Sequence, residues 1–447
     1  MKLSRYVTVL RDFPQEGRCF LFNLLNGASL IISRTIFQKL RHNASDTIKT
    51  LDHQLQQFLQ SKGFVQSTEV DESELLVEQF AKMRTEENMN VSVITTTDCN
   101  LGCVYCNQGS YHQSVYMTKS TANKLVSWIV QKTSNSNAEY LSVFLYGGEP
   151  LLNLPVIEIV VPRLQEYSRQ LNLRFTTDMN TNGVFLVPKV ATMLSAWGMK
   201  SLTICLDGPP DVHDARRPLR NRKGSFSTIF DNVSNCIDIL NINIRINLDC
   251  HNYERAGELG DILEAAGLKK KITLFLAPTE QTVDAPLHCD RFIFRDADDF
   301  QGMMNLSTEF RNRGFDCRTG LISMVGASCN NLGRNTFIVD PHGNLYRQAC
   351  AAFSESKELI IGNISVSAFS EKYYELLDMK YPRKCLKCGY LPFCQGGCNA
   401  DFFLKSRRIS LISCKKELYD RVLPLIIQSV YKSKGTYDLA EQKEGER

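Results

Sequence analysis

The stretch Asp98-Cys99-Asn100-Leu101-Gly102-Cys103-Val104-Tyr105-Cys106 decides the fold, because it places three cysteines with the spacing C-x3-C-x2-C. It directly follows the apolar, β-branched run 91–97, which is typical of a buried strand. Thiolates this close on one loop can surround a single metal centre. A structural zinc ion takes four ligands, whereas a [4Fe–4S] cluster held by three cysteines leaves one iron open. The spacing alone also allows a zinc loop whose fourth ligand lies elsewhere.

Apolar runs recur after this stretch and alternate with amphipathic helical patterns. Six strands are predicted, at 91–97, 141–146, 174–180, 202–207, 242–249 and 272–276. Strands that alternate with helices predict a parallel sheet with right-handed crossovers. Six units are fewer than the eight of a closed barrel, so we predict an α/β fold with a partial (β/α)6 barrel. Pro162 is expected to kink or break the second helix.

The composition is that of a folded globular protein. Of 447 residues, 43% are hydrophobic and 22% are charged, and the net charge is only +4. The charges are interleaved, which gives no reason to expect nucleic acid or a membrane as a partner. No apolar run approaches a transmembrane length, and the N-terminus lacks the apolar segment of a signal peptide. We therefore expect a cytoplasmic protein, in which the 16 cysteines favour metal binding over disulfides.

Four segments are predicted along the chain. Residues 1–85 are expected to fold as a small winged-helix-like module, with an N-terminal decoration as the alternative. The predicted barrel spans 86–315, a cysteine-rich domain spans 316–430, and a frayed polar tail spans 431–447. Within the first module, strands are expected near 6–10, 19–24 and 29–33, followed by helices at 35–40 and 53–59.

A second group of cysteines lies near the C-terminus. Cys385, Cys388, Cys394 and Cys398 have the spacing C-x2-C-x5-C-x3-C, and Cys414 follows. This spacing is a strong metal signal, and a zinc ribbon-like site is the alternative to an iron–sulfur cluster.

The triad resembles the signature of the radical S-adenosylmethionine (SAM) superfamily. The resemblance implies that Cys99, Cys103 and Cys106 hold a [4Fe–4S] cluster and that Tyr105 lies near the adenine of SAM. It also implies that the methionyl group of SAM chelates the open iron. Electron transfer would then release a 5′-deoxyadenosyl radical that abstracts hydrogen from a substrate.

Other motifs match the same family at the expected strand ends. Gly147-Gly148-Glu149-Pro150 ends the second strand and resembles the GGEP motif, which receives the methionyl amine. Asn182 in Thr181-Asn182-Gly183 and Arg217 after Asp207-Gly208-Pro209 are further candidate SAM contacts, although Arg217 could equally be a surface residue. Cys205 stands where the family has a small hydroxyl residue. The sequence identifies no catalytic base.

The C-terminal cysteines resemble the SPASM domain, which carries two auxiliary iron–sulfur clusters. Carried over by position, Cys385, Cys388, Cys394 and Cys414 hold one cluster, and Cys329, Cys350 and Cys398 hold the other. The second cluster thus lacks a fourth ligand, which Cys317 could supply, unless the site is open. The remaining cysteines are interpreted as packing residues: Cys19, Cys205, Cys236, Cys250 and Cys289.

The resemblance implies a radical enzyme that modifies a residue of a ribosomally made precursor peptide, for example by a thioether or carbon–carbon crosslink. The N-terminal module would read the leader of the peptide by strand addition. A small donor such as flavodoxin or ferredoxin would supply electrons. Two alternatives are a formylglycine-generating, sulfatase-maturating enzyme and a non-catalytic zinc or peptide-binding scaffold.

Overall fold

A computed structural model describes residues 1–85, 88–106, 114–279, 297–319, 333–347, 352, 357–366, 368–378, 380–397, 414, 416–433 and 437–438. The predicted ligands Cys329, Cys350 and Cys398 lie outside these residues. Among the described helices, none is long and apolar enough to cross a bilayer.

The N-terminal residues form a small antiparallel sheet with helices on one side. Its strands are β2 (Val7–Arg11), β3 (Arg18–Asn23) and β4 (Ser29–Ser33), while β1 (Lys2–Leu3) pairs separately with β5 (Val65–Gln66). The helices are α1 (Arg34–Lys49), α2 (His53–Ser61) and α3 (Glu72–Thr85). The predicted strands are confirmed, and α1 is longer than predicted. Its first turn is capped by the Ser33 side chain, which accepts a hydrogen bond from the Ile36 N–H.

Strand β3 shows why this sheet is not a free-standing module. Cys19 and Leu21 lie in the small core shared with the N-terminal helices. Phe20 and Phe22, on the opposite face, belong to the main hydrophobic core of the protein. Because both faces of β3 are buried, the N-terminal sheet is packed against the rest of the chain.

The central sheet contains the six predicted parallel strands, side by side in chain order. They are β6 (Met89–Ile94), β7 (Tyr140–Tyr146), β8 (Arg174–Thr181), β9 (Ser201–Cys205), β10 (Asn241–Leu248) and β11 (Thr273–Pro278). The predicted parallel α/β sheet is therefore confirmed, and all the strand ends that carry the motifs lie along one edge.

Helices follow the strands and cover one face of this sheet. They are α4 (Lys119–Ser134), α5 (Leu154–Gln170), α6 (Pro188–Ala196), α7 (Pro210–Arg216), α8 (Phe226–Cys236), α9 (Glu258–Ala265) and α10 (Ala297–Asn312). α5 continues through Pro162, so the predicted break is absent. Its apolar side, which includes Ile157, Val160 and Leu164, is fully buried, and this burial offsets the backbone hydrogen bond that a proline removes.

The sheet extends beyond the predicted barrel at both edges. β12 (Asp316–Thr319) adds parallel to β11, and β13 (Thr336–Val339) adds parallel to β6. β14 (Asn344–Tyr346) and β15 (Gly362–Asn363) continue antiparallel from β13 to complete ten strands. The predicted boundary at residue 316 therefore cuts through one continuous sheet. Strands of only two to four residues are too short to show a period in the sequence.

The described C-terminal residues are helical and end in a short strand. The elements are α11 (Glu371–Asp378), α12 (Arg383–Leu386), α13 (Leu391–Cys394), α14 (Lys416–Ser433) and β16 (Tyr437–Asp438). β16 pairs parallel with β4 of the N-terminal sheet. Part of the tail predicted to be frayed is thus structured, because α14 buries Leu423, Ile426 and Ile427 in the main core.

Candidate active site

The triad loop lies at the carboxyl end of β6 and is pinned from two sides. On one side, the N–H groups of Gly102 and Val104 donate to the carbonyls of Pro218 and Arg216, at 2.8 and 2.9 Å. On the other side, the N–H of Glu149 donates to the carbonyl of Asp98 at 2.8 Å. Three chain segments, distant in sequence, thus fix the backbone that carries the three thiols.

The three thiols of the triad lie within electrostatic reach of one another. Burial raises the pKa of Cys103 to about 12, with Arg217 opposing the rise and the thiols of Cys106 and Cys99 adding to it. Burial also raises the pKa of Cys99. The Cys99 sulfur accepts hydrogen bonds from the Leu101 N–H at 3.4 Å and from the Asn182 Nδ2 at 3.7 Å. Such donors stabilise thiolates, which are the form that binds iron.

The polar groups beside the triad fit a bound cluster. Within the described ranges, no three His, Cys, Asp or Glu side chains converge on a point where one metal ion could be held. A cubane gives each thiolate its own iron, so its ligands are spread more widely than those of one zinc ion. Two buried nitrogens beside the triad, Asn100 Nδ2 and Arg217 Nε, have no hydrogen-bond partner in the described structure. Buried donors are rarely left unpaired, which fits a bound polar group at this position.

The glycines of the second motif serve loop packing. A Cβ atom added to Gly147 would overlap the carbonyl oxygen of Thr96, and one added to Gly148 would overlap that of Asp98. The backbone at Gly147 and Gly148 therefore lies closer to the backbone of Thr96 and Asp98 than a residue with a Cβ atom would allow.

Glu149 connects the ends of two strands. Its carboxylate is fully buried and accepts hydrogen bonds from Leu151 N (3.0 Å), Thr181 Oγ1 (2.7 Å) and Asn182 N (2.6 Å). Burial raises its pKa, and these hydrogen bonds offset only part of the rise. Through these hydrogen bonds Glu149 also positions Asn182, and its role as a SAM contact stays a prediction.

The hydroxyl of Tyr105 joins the triad loop to the ends of β9 and β10. It donates to Asp207 Oδ2 at 2.5 Å and accepts from Arg217 Nη1 at 2.6 Å and from Asn247 Nδ2 at 3.0 Å. Burial alone would raise the pKa of Asp207, but Arg217 and Arg216 outweigh it and hold the pKa below the usual value. Arg217 is only 6% exposed, so its interpretation as a surface residue is wrong.

The sequence argument missed a buried ion-pair network beneath this hydroxyl. Arg216 Nη1 lies 2.6 Å from Asp249 Oδ1, its Nε lies 3.5 Å from Asp207 Oδ2, and its guanidinium lies over the ring of Tyr105. Asn252 Nδ2 donates to the carbonyls of Asp207 and Asn247, both at 2.7 Å. The sequence did contain a signal for this network, because Asp249 and Asn252 follow β10 at the same edge of the sheet as the motifs.

His213 supports the same network in its neutral form. Its Nδ1 accepts from the Asp207 N–H at 3.2 Å. Ser225 Oγ donates its one hydrogen to the Arg217 carbonyl at 2.6 Å. The same oxygen therefore accepts a hydrogen bond from His213 Nε2 at 3.1 Å. Burial, followed by Arg217, lowers the pKa of His213 to about 4. The ring is therefore a neutral Nε2–H tautomer that holds Asp207 and Arg217 in place.

The sheet face away from the helices is polar and partly open next to these groups. Its side chains include Phe144 of β7, Asn180 of β8, Thr203 and Cys205 of β9 and Arg245 of β10, all half-buried. The alternate residues of these strands are fully buried under the helices. These half-buried side chains lie on the same sheet as the Tyr105 network.

Four of the C-terminal cysteines have thiols that influence one another electrostatically. Burial raises the pKa of Cys385, and the thiols of Cys388 and Cys414 raise it further. Burial also raises the pKa of Cys394, with the Cys385 and Cys414 thiols adding to it. These four residues are the predicted ligands of one auxiliary cluster. The predicted ligands of the other cluster lie outside the described residues.

Cys317 is placed away from a ligand role. It lies in β12, is 3% exposed, belongs to the main core and contacts Ser307 Oγ at 3.7 Å. Of the five cysteines interpreted as packing residues, Cys19 and Cys236 are buried and Cys205 is half-buried. Cys250 is disulfide-bonded, so the packing interpretation is wrong for this residue, and Cys289 lies outside the described residues.

Comparison with protein families matches residues 93–266 to the family described as the radical SAM superfamily. The matched range begins in β6 and ends just after α9, so it contains the triad and the motifs at the ends of β7 to β10, but not the C-terminal cysteines.

Two relatives illustrate the similarity along the sequence. Mycofactocin maturase MftC of Mycolicibacterium smegmatis is 26% identical over 352 residues, which cover 73% of this chain and 82% of that protein. A cysteine-type anaerobic sulfatase-maturating enzyme of Clostridium novyi is 22% identical over 335 residues, covering 68% and 85%.

Two solved structures share the fold. Native anSMEcpe with bound AdoMet and Cp18Cys peptide has a TM-score of 0.56 at 19% identity and covers 78% of this chain and 100% of that one. Streptococcus suis SuiB bound to precursor peptide SuiA has a TM-score of 0.56 at 13% identity and covers 93% and 99%.

Proposed function

The chain belongs to the radical SAM superfamily of enzymes, and from this premise we propose that it modifies a residue of a ribosomally made precursor peptide. The observation that carries the proposal is the position of the triad, next to the Tyr105 network and an open polar sheet face. A radical centre and a substrate residue can both be accommodated at this edge of the sheet.

Named residues would hold the cofactors. The thiolates of Cys99, Cys103 and Cys106 would bind a [4Fe–4S] cluster, and Tyr105, Asn182, Arg217 and the Gly147–Glu149 loop would line the place for SAM. When bound, these groups supply a 5′-deoxyadenosyl radical for hydrogen abstraction. The protein's own contribution is to fix the triad loop by backbone hydrogen bonds and to balance buried charge. Arg216 and Arg217 face Asp207 and Asp249, so the site is electrostatically preorganised before any ligand enters.

A peptide substrate is supported by the named relatives. One is called a maturase, and two structures that share the fold contain peptides, one of them a precursor peptide. The N-terminal strands and helices are arranged as a three-stranded sheet backed by helices, which fits a winged-helix-like leader-binding module. An exposed sheet edge recognises an extended peptide through main-chain hydrogen bonds.

The C-terminal region is proposed to be a SPASM domain. Cys385, Cys388, Cys394 and Cys414 would hold one auxiliary [4Fe–4S] cluster, and Cys329, Cys350 and Cys398 a second. The first assignment is supported by the mutual electrostatic influence of its thiols. Because Cys317 is buried in the barrel sheet, we propose an open position at the second cluster. A flavodoxin- or ferredoxin-like donor would supply electrons.

Formylglycine formation is the second candidate function. It is favoured by the sulfatase-maturating relative and by the anSMEcpe structure that shares the fold. The product distinguishes the two functions, because formylglycine is an aldehyde that a hydrazine reagent traps, whereas a crosslink is not trapped.

The test is a search for a short open reading frame beside the gene, followed by turnover with the peptide that it encodes. The anaerobically reconstituted enzyme is incubated with SAM, dithionite and this peptide, and the products are analysed by mass spectrometry. A mass change that requires SAM and is lost in Cys99→Ala supports the proposal, and Cys317→Ala is the matched buried-thiol control that should retain it. SAM cleavage in the presence of the peptide, with no change in peptide mass, would contradict the proposed substrate.

A further inference from the structure

A short strand near the C-terminus pairs with one edge of the N-terminal sheet. β16 (Tyr437–Asp438) lies parallel to β4, with Tyr437 opposite Leu30 and Asp438 opposite Ile31. β4 is otherwise the last strand of this sheet, after β2 and β3. A segment near the C-terminus thus extends a sheet made by the first residues of the chain.

The pairing of β4 with β3 shows which backbone groups face this occupant. The N–H of Asn23 donates to the Ala28 carbonyl, and the N–H of Arg34 donates to the Gly17 carbonyl. Antiparallel bonding alternates along a strand, so residues of even number in β4 bond to β3. Ile31 therefore presents both its N–H and its C=O to the outer edge. In a parallel pair with the observed register, the N–H of Tyr437 points toward β4 and that of Asp438 points away.

The preceding helix α14 delivers this segment to the edge. Near its end, Tyr431 packs edge-on against Phe13 and Phe20, with ring centroids 5.1 and 5.5 Å apart. Phe20 lies in β3, directly beside β4. Because α14 connects β16 to the rest of the chain, the effective concentration of β16 at the β4 edge is high. β16 itself contributes only two paired residues.

We propose that the β4 edge is a docking site for an extended peptide and that Tyr437–Asp438 occupies it in the free chain. The inference rests on the proposed function, since the natural competitor would be the leader of the precursor peptide. That peptide would pair in the same parallel direction along the five residues of β4. It would place one of its residues opposite Leu30, as the register places Tyr437, and would displace the two-residue strand because its own pairing is longer.

The binding test uses the full chain and a labelled synthetic peptide of residues 432–447. Tyr437→Pro in the full chain removes the N–H that faces β4, whereas Asp438→Pro, the matched control, removes the one that points away. Fluorescence anisotropy should show the probe binding to the Tyr437→Pro chain at least about tenfold more tightly than to the wild-type or Asp438→Pro chains. Equal affinity for all three chains would overturn the proposal.

The same substitutions in the probe avoid any effect on folding. A probe with Asp438→Pro should bind the Tyr437→Pro chain as the unmodified probe does, and a probe with Tyr437→Pro should not. Equal binding of both probes would refute strand pairing. These assays involve no SAM chemistry, so their failure is separate from failure of the proposed function. A peptide that is modified in turnover but does not displace the probe would refute the leader as competitor and leave that function standing.

Discussion

Tyr105→Phe removes one hydroxyl that three groups share. Asp207 loses a donated hydrogen bond, and Arg217 and Asn247 lose their acceptor. Hydrogen bonds to charged groups contribute about 1.5–3 kcal/mol each. Asp207 and Asn247 keep other partners in the network, so we expect a net loss of about 2 kcal/mol rather than the full sum. If SAM binding has to restore the arrangement that the lost hydrogen bonds maintained, the apparent affinity of the protein for SAM should fall about 30-fold.

The assay is the rate of 5′-deoxyadenosine formation as a function of SAM concentration, with iron content measured in parallel. Tyr105→Phe should raise the KM for SAM, while the iron content stays at the wild-type value because the triad is intact. Tyr116→Phe is the matched control. Its hydroxyl also bonds to an aspartate, Asp98, at 2.6 Å, but the side chain is exposed, so its KM should change by no more than about twofold.

Two results would refute this reasoning. Equal KM values for Tyr105→Phe and the wild type would mean that the hydroxyl network does not organise the SAM site. A loss of iron in Tyr105→Phe would mean that the network supports the cluster rather than the cofactor beside it.

Three further predictions concern the surrounding structure. Gly148→Ala should reduce iron loading after reconstitution because the added methyl group overlaps a backbone oxygen, whereas Gly102→Ala, whose methyl group would make only ordinary van der Waals contact with the Pro218 carbonyl oxygen, should load normally. The lowered pKa of His213 means that the unfolded chain binds a proton that the folded chain excludes. The urea midpoint of the wild type should therefore fall as the pH drops from about 6.5 towards 4, and the fall should be smaller in His213→Asn. Arg216→Ala should destabilise the chain by about 3–5 kcal/mol, because it leaves the buried Asp249 without its ion-pair partner and Asp207 with only Arg217, while Arg255→Ala, in an exposed pair, should leave the urea midpoint nearly unchanged.

The parts of the fold that the sequence predicts correctly rest on long periodic segments. β7 alternates between buried Leu141, Val143 and Leu145 and half-buried residues, and this period of two is legible in the sequence. β12 and β13 were missed because they are four residues long. Their place in the sheet depends on pairing with distant strands, which no local pattern encodes.

The site was predictable where its residues are adjacent in sequence. The triad spacing predicts Cys99, Cys103 and Cys106 as ligands of one centre, and the structure places their thiols within electrostatic reach of one another. The partners of Tyr105 were not predictable, because Asn247 lies 142 positions away along the chain and meets it only after the sheet forms. The donors to Glu149 were not predictable for a related reason: they come from the ends of two strands, and the sequence shows only that Glu149 follows two glycines.

The most direct test of the central claim is whether the triad supports reductive SAM cleavage. The reconstituted wild type should form 5′-deoxyadenosine from SAM in the presence of dithionite. Cys99→Ala should form none and should contain about four fewer irons per chain, the content of one cubane. Cys236→Ala, which removes a thiol buried in the core, should match the wild type in both measurements. Unchanged 5′-deoxyadenosine formation in Cys99→Ala, or zinc in place of iron in the wild type, would contradict the account.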